Sequence, residues 1–307
     1  MDNFMNGLEK FGLSGMDMSN LFEDETDEKE EKVEEVKVEK KEPEREELCE
    51  QDFLYDKKIE CPVCGKSFQT RAVRATKLRR LGSDDDLRPR YKGIDTIKYD
   101  VYSCPYCGYT AMIRFFDGIS TMQARLIREN VSSKFQPTIV RMPSVIDYDM
   151  AIDRYKLALF NAVAKKSKIS ERAYTCLKIS WLCRGKVEEL ISQGYKSDSQ
   201  EVEQCKLEEK SFYVQAYEGL MKAVATEGFP ICGMDKDTMD YLVAEMAYGL
   251  QKYDVASKLV SRLLTSNANR HVKDKALDLK QNIIKAIKSI RFMIIFCRLL
   301  DIHQWFA

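Results

Sequence analysis

Two stretches decide the reading of this chain: Cys61-Pro62-Val63-Cys64-Gly65-Lys66 and Cys104-Pro105-Tyr106-Cys107-Gly108-Tyr109. Both have the form Cys-Pro-x-Cys-Gly, and 39 residues separate Cys64 from Cys104. A two-residue spacer lets both thiolates of a pair point at one centre from a tight turn. The glycine that follows accepts the positive φ that such a turn needs, and backbone amides of the turn then donate to the sulfurs. Two matching knuckles brought together by a β-hairpin give tetrahedral four-sulfur coordination. Cys61, Cys64, Cys104 and Cys107 are therefore expected to hold one structural zinc ion per chain. Four thiolates around a divalent cation leave a formal −2, which the flanking Lys58 and Lys66 partly offset.

The same knuckles suit iron in a rubredoxin-like redox protein, which is the rival reading. A dithiol redox pair is a third reading, weakened because it needs no second matching pair.

Around the knuckles the pattern is that of short strands. Ile97-Lys-Tyr-Asp-Val-Tyr-Ser103 alternates with period two, and Tyr109 to Phe116 is a second strand candidate. Residues 51–118 thus read as a small zinc-ribbon-like β module. A segment of this size has little core of its own, so metal coordination becomes part of its folding free energy.

Between the knuckles lie Lys66, Arg71, Arg74, Lys77, Arg79, Arg80, Arg88, Arg90 and Lys92, interrupted by Asp84-Asp85-Asp86. This run can meet phosphates, with Tyr91 stacking on a base. A solvated face paired internally with the aspartates is the favoured reading. Asp84 to Asp86 is likewise expected to be solvated and not to hold magnesium.

From residue 119 to 290 the signal is helical. Ile152, Tyr155, Leu159 and Val163 mark one face, Leu177 and Trp181 another, and Phe212 to Ala225 a third stretch. Met239 to Leu250, then Ala256 to Leu264, then Val272 to Ile290 complete the body. The pair over 241–264 has a tetratricopeptide layout, with Ala244 at the crossing and Tyr253, Ala256, Val260 and Leu263 following. A weaker copy is Ala151, Tyr155 and Ala158. Two partial copies make the body repeat-like only. Such stacks present grooves to other proteins. The apolar tail 291–307, with Trp305 and Phe306, is expected to cap the stack, with a subunit contact or a membrane surface as alternatives.

The N-terminal part differs in kind. Residues 1–50 carry 18 acids and 7 bases, whereas residues 51–307 carry 31 acids and 42 bases. The neutral total therefore hides an acidic arm of net −11 on a basic body of net +11. Residues 23–50 read as a disordered acidic linker. Residues 1–22, with Phe4, Leu8, Phe11 and Phe22, read as a poorly ordered terminus or a docking peptide held near its target. No run reaches the ~20 apolar residues of a membrane span, and no secretory leader is legible. With ten cysteines, that points to a reducing, cytoplasmic setting. Cys176, Cys183, Cys205, Cys232 and Cys297 read as core thiols and Cys49 as exposed.

The run Tyr55-Asp-Lys-Lys, the first knuckle, Thr70-Arg-Ala-Val-Arg74, Arg90-Tyr-Lys-Gly93, Tyr99-Asp-Val101 and the second knuckle together resemble the uncharacterised bacterial domain-of-unknown-function family 2225. The resemblance continues through Arg154-Tyr-Lys-Leu-Ala-Leu159, Trp181-Leu-Cys-Arg184 and Phe229-Pro230 to Tyr241-Leu-Val-Ala-Glu-Met246, covering about residues 55–288. It implies a two-knuckle module followed by tetratricopeptide-like helices and supplies no reaction. The fold class expected is α+β: the β module, then an all-α body.

The function expected is a non-enzymatic cytoplasmic adaptor or scaffold with an unknown protein partner. The alternative is nucleic-acid binding by the 66–92 segment, regulated by the acidic arm. His271 and His303 are the only histidines and neither neighbours a cysteine or carboxylate cluster, so no catalytic residue is assigned.

Overall fold

Each knuckle is the tip of its own hairpin. In a computed structural model, which describes residues 48–137 and 142–304 and side chains as far as 290, β1 (Leu54–Glu60) pairs antiparallel with β2 (Ser67–Val73). Leu54 faces Val73 at one end, and Glu60 faces Ser67 beside the first knuckle. The second knuckle joins β5 (Val101–Ser103) to β6 (Thr110–Met112) in the same way. Between them β3 (Arg80–Ser83) and β4 (Pro89–Tyr91) form a third antiparallel pair with an irregularity between Arg80 and Gly82. The three ladders are separate two-stranded sheets. The readings placed on 1–22, on the acidic linker as far as 47 and on the side chains of 291–307 lie outside the described residues.

Local chemistry accounts for the helix starts. After the short helix α1 (Ile113–Phe116), α2 (Thr121–Ile127) opens on a capping box of Ser120 and Gln123, and a π-type turn follows at Arg128–Ser132. Asp147 caps α3 (Tyr148–Ala164) by accepting from the Met150 amide. The start of α4 (Ile169–Ser192) is capped from a distance: Glu227, just past α5 (Gln200–Thr226), accepts from the Ser170 amide and hydroxyl. Asp235 caps α6 (Lys236–Gly249), which forms a helical hairpin with α7 (Tyr253–Thr265), and α8 runs Arg270–Gln304. Helices α4 and α5, at 24 and 27 residues, are nearly twice the length of α6 and α7, so successive helix pairs differ in size.

The apolar faces meet in two places. A small aromatic cluster wraps the knuckles: Phe116 packs against Phe68, Tyr102 and Tyr109, with Ile127 and Val131 beneath. The larger core is shared between strands and helices. Phe53, Ile97, Tyr99, Val101 and Met112 pack with residues of α3, α4 and α6, such as Tyr155, Leu177, Trp181 and Leu242. The described residues accordingly form one compact unit.

Several elements differ from the sequence reading. The period-two stretch 97–103 begins as a 3-10 turn over Thr96–Tyr99, nucleated by the Asp95 carboxylate accepting from the Ile97 amide, and only Val101–Ser103 is strand. Its alternation misled because Ile97, Lys98, Tyr99, Val101 and Tyr102 are all buried. The stretch 109–116 is strand only to Met112 and then turns helical. Helix α5 begins at Gln200, about three turns before the apolar stripe at Phe212, because its first half buries only Val202 and Cys205 against Val187 of α4.

Of the acidic triplet Asp85 is exposed, as expected, but its neighbours are engaged. Asp86 is buried and accepts from the Trp181 indole at 2.9 Å and the Arg184 guanidinium at 2.8 Å. Asp84 takes a two-point bond from Arg90 at 2.7 Å, and Arg90 also grips Glu188 of α4. Arg88 is 1 % exposed and lies between Asp95 and Glu188. The β3–β4 hairpin is therefore pinned to α4 by charge. Gly185 permits the approach, since a Cβ there would meet the Tyr148 ring at 2.5 Å and the Arg88 guanidinium at 2.6 Å.

Candidate metal centre

The two knuckles have matching backbones. The Gly65 amide donates to the Cys61 carbonyl at 2.8 Å and the Cys61 amide to Lys66 at 3.0 Å. In the second, Gly108 donates to Cys104 at 3.0 Å and Cys104 to Tyr109 at 2.9 Å. Gly65 and Gly108 adopt φ of 70° and 72°, the left-handed conformation expected of them. Amides of Val63 and Cys64 donate to the Cys61 sulfur, and those of Tyr106 and Cys107 to the Cys104 sulfur.

This brings all four thiols together. Their Sγ atoms lie within 4.8 Å of one another, with Cys61 to Cys107 at 3.6 Å and Cys64 to Cys104 at 3.7 Å. Metal–sulfur bonds of about 2.3 Å in a tetrahedron require sulfurs about 3.8 Å apart, so the cluster is sized for one ion. The thiols are free, not disulfide-bonded. Cys61, Cys104 and Cys107 are buried and Cys64 is half-buried.

Crowding the thiols splits their acidities. Hydrogen bonds from Cys107 and Cys61 hold the Cys104 thiol far down. The same bonds to Cys104 push up the Cys61 and Cys107 thiols. A bound cation would displace the protons that Cys61 and Cys107 hold.

Each knuckle is also held from outside. The Arg128 guanidinium donates to the Val63 carbonyl from Nε at 3.0 Å and Nη2 at 2.9 Å. Asn161, fully buried on α3, donates to the Gly108 carbonyl at 3.1 Å. Lys66 lies over the Tyr106 ring at 5.1 Å, linking one knuckle to the other, while Lys58 is exposed on β1. Arg128 and Asn161 escape a sequence reading because each acts on a backbone carbonyl 65 or 53 residues away. Asn161 does carry one signal, an amide on the apolar face of a helix.

The other singled-out residues are dispersed. Cys176, Cys183 and Cys205 are buried in the helices, where desolvation pushes the Cys176 thiol up to about 11. Cys232 is half-buried, Cys49 exposed and His271 exposed, while Cys297 and His303 fall among the undescribed side chains. Asp84, Asp85 and Asp86 do not gather into a cation-sized cluster.

A small strand region carrying a four-cysteine cluster, followed by helices, defines the class: an α+β protein with a candidate metal centre at the tips of two hairpins. The family pattern described as "Uncharacterized protein conserved in bacteria (DUF2225)" matches residues 54–283, and the chain belongs to that family. No curated protein and no solved structure matches it. Among the described residues no helix is long and apolar enough to cross a membrane.

Proposed function

We propose that Cys61, Cys64, Cys104 and Cys107 hold one structural zinc ion, and that the chain is a non-enzymatic cytoplasmic adaptor whose helical body binds another protein. The spacing of the four sulfurs carries the zinc reading. All four donors are thiols from two rigid turns, a closed set that leaves no coordination position for a substrate and suits a structural ion. Bound zinc would supply folding free energy and fix the two hairpin tips to each other. Free thiols throughout the described residues suit a reducing compartment.

The adaptor reading is supported by the surface. Phe160 and Val163 stand one turn apart on α3 with 54 % and 53 % of their surface open, the kind of apolar pair that protein contacts use. Nucleic-acid binding through residues 66–92 is the weaker reading, because Arg88 and Arg90 are already committed to carboxylates.

Metal analysis of the purified chain tests the first part: one zinc per chain and no visible colour are expected, and a coloured iron protein overturns it. A photo-crosslinker at position 160 tests the second. It should trap one protein in cells, and Val163→Asp should abolish the capture. Crosslinks to RNA alone would count for the nucleic-acid reading.

A further inference from the structure

A cavity of about 320 Å³ lies between the first hairpin, the β5 strand and α4, away from the sulfurs. Tyr55, Val73, Leu78, Tyr91 and Ile113 supply much of its apolar and aromatic wall. Two opposite charges also line it, Lys178 from the middle of α4 and Asp100 from the turn before β5.

These charges form a long ion pair. Lys178 Nζ stands 3.7 Å from Asp100 Oδ2, beyond direct hydrogen-bond reach. The Lys178 side chain is only 9 % exposed, and its ammonium rests over the Tyr174 and Trp181 rings at 5.2 and 5.0 Å. An ammonium has three donors, and the rings satisfy none of them directionally. Asp100 keeps 37 % of its side chain open. Burial raises its pKa, with Lys178 and Arg114 opposing.

A cation and an anion held side by side, both lining one small cavity, complement a ligand that carries both charges on neighbouring atoms. A lone anion would meet Asp100 unfavourably, and a lone cation would meet Lys178. A zwitterion satisfies both. The volume is at the lower end for small-ligand sites, which start at about 300 Å³, and so suits one residue-sized molecule more than a peptide. Lys57, exposed on β1 and donating to the Tyr102 hydroxyl at 3.1 Å, adds positive charge among the lining residues.

We propose that this cavity binds a free α-amino acid with an apolar or aromatic side chain, its carboxylate on Lys178, its ammonium on Asp100 and its side chain against the tyrosine-rich wall. The site stands apart from the zinc and adaptor readings and does not depend on either.

Calorimetric titration of the full chain, in its metal state as purified, tests this with leucine, methionine and phenylalanine as probes. Isoamylamine, which is leucine without its carboxylate, and 4-methylpentanoate, which is leucine without its ammonium, serve as matched controls. At least one amino acid should bind, with each single-charge analogue weaker by about tenfold or more. Lys178→Met should erase the preference for leucine over isoamylamine, and Asp100→Asn the preference over 4-methylpentanoate. The absence of binding at millimolar amino acid overturns the proposal. So does 4-methylpentanoate binding as well as leucine, which would reveal a plain anion site. The analogue comparison uses the unaltered protein, so it decides the matter even if a variant fails to fold.

Discussion

Gly65 and Gly108 hold the same backbone conformation, yet their surroundings differ. A Cβ on Gly65 would meet open space, whereas one on Gly108 would stand 2.5 Å from the Phe135 ring. Gly65→Ala should therefore cost only the left-handed strain of about 1–2 kcal/mol. Gly108→Ala should cost clearly more, and Phe135→Ala in that background should recover part of the difference. Chemical denaturation of the single and double variants reads both effects. Asp86 offers a second test at this scale. Asp86→Ala removes a charged acceptor from Arg184 and Trp181 and should destabilise by about 2–3 kcal/mol, against about 1 kcal/mol for Trp181→Phe. A neutral Asp86→Ala would mean that the β3–β4 hairpin is held by packing alone.

Among the elements, α6 carries the clearest pH signature. Burial raises the Glu245 carboxyl to about 7, with the nearby Asp85 and Asp86 adding to the shift and Lys275 opposing it. A folded-state pKa above the unfolded value means that the folded chain binds the proton more tightly. This contribution is complete below about pH 4.5, near the ordinary glutamate value, and is lost as the pH rises through 7. Glu245→Gln should flatten the fall in stability across that window and leave the variant more stable than the parent above it. Thermal melts at half-unit steps of pH would show this. An unchanged slope would mean that Glu245 is hydrated in solution.

For the molecule as a whole, the proposed metal centre and the helices are expected to behave as one cooperative system. Strands and helices share a core, and Asn161 of α3 holds the second knuckle directly. Stripping the ion with a chelator, or replacing Cys104 by Ser, should loosen the helical body along with the hairpins. Helical circular dichroism and the near-ultraviolet aromatic signal are expected to melt together, with a loss on the order of 4–5 kcal/mol or more. Helices that keep their full melting temperature without metal would separate the two parts.

What could be read from the chain alone follows a physical division. Cys61, Cys64, Cys104 and Cys107 were legible because each knuckle is a local motif whose chemistry lies within six residues. The stripes on α3, α6, α7 and α8 were legible because burial of one face imposes a period. Arg128, Asn161 and the Asp86–Trp181–Arg184 cluster were not, since their partners are 53 to 98 residues away and polar residues leave no periodic trace. The first half of α5 was missed for a related reason, as a helix that buries two side chains looks like a linker.

The spacing between the hairpin tips has a consequence during synthesis. At ~5–20 residues per second the ribosome delivers Cys104 roughly 2–8 s after Cys64. For that interval the first pair of sulfurs is a half-built claw, free to be oxidised or to grasp the wrong ion. Trp181 and Arg184, which will receive the acidic loop encoded between the two pairs, arrive later still. On the zinc reading proposed above, starving a growing culture of zinc should therefore injure newly made chains far more than those already complete.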